Sequence, residues 1–111
     1  MEREILILRP SIAGSVVPET LDVLALRPLG SADDVRNAIS VVFSDATWLD
    51  PWHGTLDGQG CIIEANMRVE SPVLQCMLRI SGHGDPSEQI VDLCRRNYWR
   101  AIDIQSWVFI E

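Results

Sequence analysis

The sequence contains no lysine: all nine of its cationic side chains are arginine, against 16 carboxylates. The chain therefore has no amine side chain for Schiff-base chemistry or for catalysis by a lysine base. Its net charge of −7 repels phosphate backbones and anionic lipid, so we expect no nucleic acid and no membrane as partner. A basic protein partner, or no charged partner at all, fits this charge better.

Long apolar runs and a targeting segment are also missing. No run approaches the roughly 18 residues that a membrane-spanning helix needs, and the acidic first residues are unlike a signal peptide. The three cysteines, Cys61, Cys76 and Cys94, are odd in number and lie inside apolar runs. This placement favours buried, reduced thiols and therefore predicts a cytoplasmic location.

Few groups in the sequence could converge on a metal or a cofactor. The two histidines, His53 and His83, and the three cysteines form no C-x-x-C or H-x-x-x-H pair. The glycines beside His83 lack the spacing and the lysine of a phosphate-binding loop. We therefore predict no metal and no cofactor, and the sequence favours a non-enzyme.

The length and the 47% apolar content fit one folded domain over residues 1–111. The Ser31 hydroxyl can accept a hydrogen bond from the amide of Asp34, which predicts a helix over residues 32–43. The core stripe of this helix follows helical spacing: Val35, Ala38, Ile39 and Val42.

A second helix is indicated by its start. Asp85 can cap it, Pro86 fits the first helical position, and Glu88 can complete a capping box. Asn97 can take the left-handed position at its end. The core stripe consists of Ile90, Leu93 and Cys94.

Alternation and short apolar runs indicate the strands. Residues 61–68 and 72–80 alternate and are joined by a short polar turn, which predicts a hairpin with one core face. Residues 99–104 predict another strand, and residues 107–110 a short edge strand. Two earlier runs, from Ile5 to Leu8 and from Leu21 to Arg27, also fit strands.

The order from Leu21 onward is βαββαβ, which is the ferredoxin-like order. We therefore predict an α+β fold in which an antiparallel sheet carries two helices on one face, plus an extra N-terminal strand. Which run forms the first strand of this pattern, Ile5 to Leu8 or Leu21 to Arg27, stays open.

Residues 44–60 are predicted to form a long loop that contains Trp48, Asp50, Trp52 and His53, with the start of a strand near Thr55 as an open alternative. Two indoles beside an acid–base pair could wall a ligand pocket. In the alternative interpretation, the tryptophans only anchor the loop. His83, which directly precedes the second helix, is a further candidate ligand contact, and the alternative there is a tight turn.

The outer side of the predicted hairpin carries Ile62, Val73 and Met77 among polar residues. A half-apolar patch on an uncovered sheet is typical of an association surface. We therefore predict an interface there, with a homodimer or a basic protein as occupant.

Two sequence features lie between residues 48 and 103. They are a glycine-rich hairpin with Gly54, Gly58 and Gly60, and the motif Trp-x-Ala-x-Asp, here Trp99 to Asp103. In both, the chain resembles a group of small uncharacterised bacterial proteins. The resemblance implies a bacterial, cytoplasmic, single-domain protein, and it implies no activity.

Two hypotheses of function follow from these patterns. The first is a non-catalytic interaction or accessory domain, comparable to small acidic immunity and adaptor proteins. The alternative is a small-ligand-binding protein or an enzyme that uses the tryptophan, aspartate and histidine of the predicted loop.

Overall fold

The computed structural model describes residues 2–10, 26–58, 60–68 and 72–110. Within these ranges the chain forms strands that pair only in the antiparallel sense, together with two helices. In chain order the elements are β1 (Glu2–Pro10), β2 (Leu26–Arg27), α1 (Ala32–Val42), β3 (Thr47–Asp50), β4 (His53–Asp57), β5 (Cys61–Met67), β6 (Gln75–Gly82), α2 (Ser87–Asn97), β7 (Arg100–Asp103) and β8 (Val108–Ile110).

Seven strands follow one path through the sheet, β3-β4-β5-β6-β1-β7-β8, and β2 pairs with the end of β1. Strand β1 lies in the interior of this path, where Ile5 is paired with Leu78 of β6 and with Asp103 of β7. Its unbroken apolar run is typical of a strand that is covered on both faces. Accordingly, Ile7 and Leu8 are both 0% exposed although they point to opposite faces.

Both helices pack against the same face of the sheet. Val35 and Ile39 of α1, like Ile90 and Leu93 of α2, have no exposed surface. They share one core cluster with the inward residues of β1, β5 and β6. Strand β5 follows the two-residue period, because its inward side chains, Cys61, Ile63, Ala65 and Met67, are all buried.

Helix α1 begins as its sequence predicts. The Ser31 hydroxyl accepts from the Asp34 amide at 3.1 Å, and the Asp34 carboxylate accepts from the Ser31 amide at 3.2 Å. This capping box satisfies two amides that the helix itself cannot pair. The helix ends at Val42, with Phe43 as its C-cap.

Helix α2 differs from its prediction at both ends. It begins at Ser87 and lacks the predicted capping box with Glu88; instead, the Asp85 carboxylate accepts from the Ser87 amide at 3.1 Å. At the other end Tyr98, not Asn97, takes the left-handed conformation, at φ 59° and ψ 34°. Asn97 stays helical and donates from Nδ2 to the Leu93 carbonyl at 2.8 Å.

The prediction of a ferredoxin-like βαββαβ domain is wrong. The sheet has seven strands on its path, because residues 44–60 contain the β3–β4 hairpin where a loop was expected, and β8 extends the opposite edge. Of the run from Leu21 to Arg27, only Leu26–Arg27 is described, as the two-residue β2; residues 21–25 lie outside the described part. The run from Ile5 to Leu8 belongs to β1.

Candidate functional site

The face of the sheet turned away from the helices is called the outer face below. Because strand residues alternate between faces, the side chains on it line up in rows across paired strands. Two rows define its central part: Thr55, Glu64, Arg79 and Glu4 form one, and Asp57, Ile62, Ser81 and Glu2 form the other.

This part of the outer face is strongly acidic. Strands β1 and β3 to β6 place several carboxylates on it but a single guanidinium, that of Arg79. Arg79 pairs with Glu4 at 3.5 Å, and Glu64, its neighbour on the other side, forms no ion pair within the described ranges. The carboxylates belong to Glu2, Glu4, Asp50, Asp57 and Glu64.

Ile62 lies in the middle of these acids and is 59% exposed. Its cross-strand partners are Asp57 and Ser81, and Glu64 follows on the same face two residues later. Met77 also lies on the outer face, half-buried beside Leu6. The alternation of β5 and β6 therefore places Ile62 and Met77 correctly, and their role in an interface stays a prediction.

The prediction that Val73 lies on the exposed outer face is wrong, because Val73 is 0% exposed. Its amide donates to the Gly30 carbonyl and its carbonyl accepts from the Leu29 amide, both at 2.8 Å. Val73 belongs to the core cluster and lies before β6, which begins at Gln75, so the alternation of β6 does not extend back to residue 73.

The far end of the outer face is apolar. Leu8 and Ile102 are 0% exposed there, packed with Leu6, Trp107 and Phe109. The guanidinium carbon of Arg100 lies 3.9 Å from the centroid of the Phe109 ring, a cation–π contact. The outer face is thus divided into an acidic part, on β3 to β6 and the start of β1, and an apolar end, on the second half of β1 and on β7 and β8.

Asp50 and His53 form a hydrogen-bonded pair at the turn between β3 and β4. His53 Nδ1 lies 2.8 Å from Oδ2 and 2.9 Å from Oδ1 of Asp50, and Asp50 Oδ1 accepts from the Trp52 amide at 2.7 Å. The bond to His53, and after it the bond to the Trp52 amide, hold the pKa of Asp50 below its ordinary value of 3.8. Arg36 fastens the turn to α1 by donating to the Pro51 carbonyl at 2.8 Å.

The structure separates this pair from the predicted tryptophan walls. Trp48 lies on the helix side, with its indole against Gly54, and Nε1 donates to the Ser40 hydroxyl at 3.3 Å. Trp52 packs against the same core, whereas His53 is exposed on the outer face. This is the arrangement expected of aromatic anchors rather than of one shared pocket.

His83 is exposed in the turn that follows β6. The amides of His83 and Gly84 both donate to the Gly60 carbonyl, at 3.2 and 3.0 Å, so neither is available for an anion. His53 shares a row with Met77, six residues from His83, which along a strand corresponds to about 20 Å. The structure therefore does not bring the two histidines together.

The three cysteines are free and buried, as predicted. Burial raises the pKa of Cys76 and of Cys94 to about 12, and burial followed by the charge of Asp57 raises the pKa of Cys61. The Cys61 thiol also donates to the Gly58 carbonyl at 3.2 Å. Because the thiolate is the reactive form, this environment suppresses nucleophilic chemistry.

The described ranges contain no group of three or more histidine, cysteine, aspartate or glutamate side chains suited to hold a metal ion. Nor is any helix in this part of the chain long and apolar enough to cross a bilayer.

The acidic surroundings of Ile62 were missed at the sequence level for a specific reason. Glu64 could be placed on the outward face, because β5 alternates cleanly. Asp57 and Asp50 could not, since the hairpin that carries them was predicted as a loop. A weak signal existed in residues 53–57, where small or apolar residues alternate with polar ones.

No protein-family model matches the chain, and comparison with curated proteins and with solved structures returns no significant match. The function must therefore be inferred from the residues themselves.

Proposed function

We propose that this protein is a non-catalytic interaction domain that binds a basic protein through the acidic part of the outer face. The observation that carries this proposal is the exposed Ile62 among the carboxylates of Asp57 and Glu64. An apolar centre loses water when a partner covers it, and a charged surround steers a partner of opposite charge.

The chemistry of the remaining candidates supports a non-catalytic role. The carboxylate of Asp50 is occupied by the turn that contains it, and its bond to His53 lies on an exposed hairpin end. The buried thiols have raised pKa values. A role like that of small acidic immunity or adaptor proteins, in the bacterial cytoplasm, agrees with these features and with unpaired cysteines.

A basic partner is favoured over a second copy of the chain. In a two-fold dimer the same patch meets itself, so the carboxylates of Glu64 and Asp57 would meet the acidic patch of the second copy. Like charges brought together in an interface cost several kcal/mol. The single guanidinium on this surface, Arg79, is already paired with Glu4.

Tagged wild-type protein and three variants test the proposal. Ile62→Asp removes the apolar centre, and Glu64→Lys reverses a charge beside it. Val41→Asp is the control, because Val41 is 68% exposed on α1, on the opposite side of the sheet. Proteins captured from a bacterial lysate are quantified at low and high salt, and each purified candidate is then titrated by calorimetry.

We expect wild type and Val41→Asp to capture a basic protein whose affinity falls with salt. Ile62→Asp and Glu64→Lys should each weaken its binding at least about tenfold. Equal capture by all variants, or an acidic captured protein, would overturn the proposal. So would light scattering that finds a wild-type dimer which Ile62→Asp dissociates, because the face would then bind a second copy.

A further inference from the structure

A cleft opens between α2 and the β7–β8 edge of the sheet, on the helix side. Its volume of about 340 Å³ is in the range of small-molecule sites. The cleft and Ile62 lie on opposite sides of the sheet, so the cleft is separate from the proposed interaction surface. The cleft is lined by Val91, Cys94, Arg95, Trp99, Arg100 and Ile110.

One wall of the cleft is apolar. Trp99 is only 5% exposed, and Val91 and Ile110 are half-buried. A ligand with a short apolar body could remove the remaining surface of these side chains from water, which is favourable.

The other wall carries positive charge. Arg95 is exposed and forms no hydrogen bond or ion pair in the described part of the chain, whereas its neighbour Arg96 donates from Nε to Asp92 at 3.0 Å. No described residue that lines the cleft is a carboxylate, so the guanidinium of Arg95 gives the cleft a positive charge in a chain with net charge −7.

A neighbouring groove limits where an anion can bind in the cleft. It shares Val91 and Arg95 with the cleft but is lined by Glu88 and Asp92. These carboxylates repel an anion, so the anion is confined to the Trp99 side of Arg95.

We propose that this cleft binds a small carboxylate with a short apolar body. The guanidinium of Arg95 binds the carboxylate, a geometry that allows two parallel hydrogen bonds. The apolar body lies against Trp99 and Ile110. The proposal does not depend on the interaction surface at Ile62.

The helix dipole alone offers another reason for a cation in the last turn of α2. Arg96 shares that position and lies outside the cleft, so it separates the two explanations. Arg95→Ala and Arg96→Ala therefore form a matched pair.

The probe is n-octanoate, titrated into the ¹⁵N-labelled full chain and followed by NMR, with octan-1-ol as its neutral counterpart. We expect shifts at the Trp99 indole and at the amides of Val91 and Ile110. Arg95→Ala should weaken octanoate binding about tenfold, Arg96→Ala less than about twofold, and octanol should bind as weakly as octanoate binds to Arg95→Ala.

A second pair of variants guards against indirect effects. Val91→Glu places a negative charge in the cleft and should abolish octanoate binding, whereas Val41→Glu on α1 should not change it. Ile62→Asp should leave it unchanged too, so failure here is distinct from failure at the outer face. Equal losses in Arg95→Ala and Arg96→Ala, equal binding of octanol, or shifts centred elsewhere would overturn the proposal.

Discussion

The contact between Trp48 and Gly54 predicts that a single added methyl group at position 54 will destabilise the β3–β4 hairpin. A Cβ on Gly54 would lie 2.4 Å from Cε3 and 2.7 Å from Cζ3 of the indole, well inside contact distance. The ring is also fixed from α1, because Nε1 donates to Ser40. The Gly54→Ala substitution must therefore displace the indole from its place on the strand.

The size of the effect follows from what the indole loses. Overpacking a tight contact costs about 1–3 kcal/mol, and Trp48 is half-buried, so it also loses part of its burial energy. We expect Gly54→Ala to lower the free energy of unfolding by about 2 kcal/mol. In a domain of this length that lowers the melting temperature by about 10 °C.

A double-mutant cycle with Trp48→Ala isolates the contact. Once the ring is absent, an alanine at position 54 meets no indole and replaces a strand glycine, which is favourable by about 0.5–1 kcal/mol. Gly54→Ala should therefore be neutral or stabilising in the Trp48→Ala background. Urea unfolding followed by circular dichroism gives the four free energies, and an equal cost of Gly54→Ala in both backgrounds would refute the reasoning.

Three other predictions concern backbone strain, pH and thiol reactivity. Tyr98 is 80% exposed at a left-handed position, so Tyr98→Gly should stabilise the protein by about 1 kcal/mol. Tyr98→Ala, which keeps the Cβ, should not stabilise the protein. Equal melting temperatures of the Tyr98→Gly and Tyr98→Ala variants would contradict this. The lowered pKa of Asp50 contributes stability above pH 3.8 that is lost as the pH falls through the folded pKa. Asp50→Asn should therefore be less stable than wild type at neutral pH, and the difference should vanish in acid; unfolding midpoints measured against pH check this, and a constant difference would refute it. With the pKa of Cys76 and of Cys94 at about 12, Ellman's reagent should label the native protein slowly and all three cysteines rapidly in urea. A fast native thiol at neutral pH would be inconsistent with this burial.

Elements with local causes could be predicted from the sequence. Helix α1 is capped at Ser31 because the Ser31 hydroxyl and the Asp34 carboxylate are three residues apart, a spacing that needs no distant partner. The β5–β6 hairpin is equally local, since two alternating segments meet across a short connection.

Elements that depend on distant partners could not be predicted in the same way. The turn between Asp50 and His53 contains Pro51 and Trp52 rather than the Asn-Gly pair of a short hairpin. Its stability comes instead from Arg36 on α1 and from Trp48 on the core, which lie outside the pattern of the segment. The position of β1 between β6 and β7 likewise follows from long-range pairing.

The same limit applies to the candidate site. The outward position of Ile62 and Glu64 follows from the period of β5 alone. The acidic surround also requires β4, because Asp57 reaches Ile62 only through pairing of the two strands. Val73 was misplaced because its bridge to Gly30 is not encoded in its own segment.

The exposed position of Ile62 is dictated by the register of β5. Side chains alternate with a period of two, so Ile62 and Glu64 share one face, and turning Ile62 inward would bury the carboxylate as well. The core is already filled from this strand by Cys61, Ile63, Ala65 and Met67. Because isoleucine at position 62 adds nothing to the core, Ile62→Thr should change the free energy of unfolding by less than about 0.5 kcal/mol. A loss of binding in Ile62→Thr will therefore report on the acidic outer surface and not on the stability of the fold.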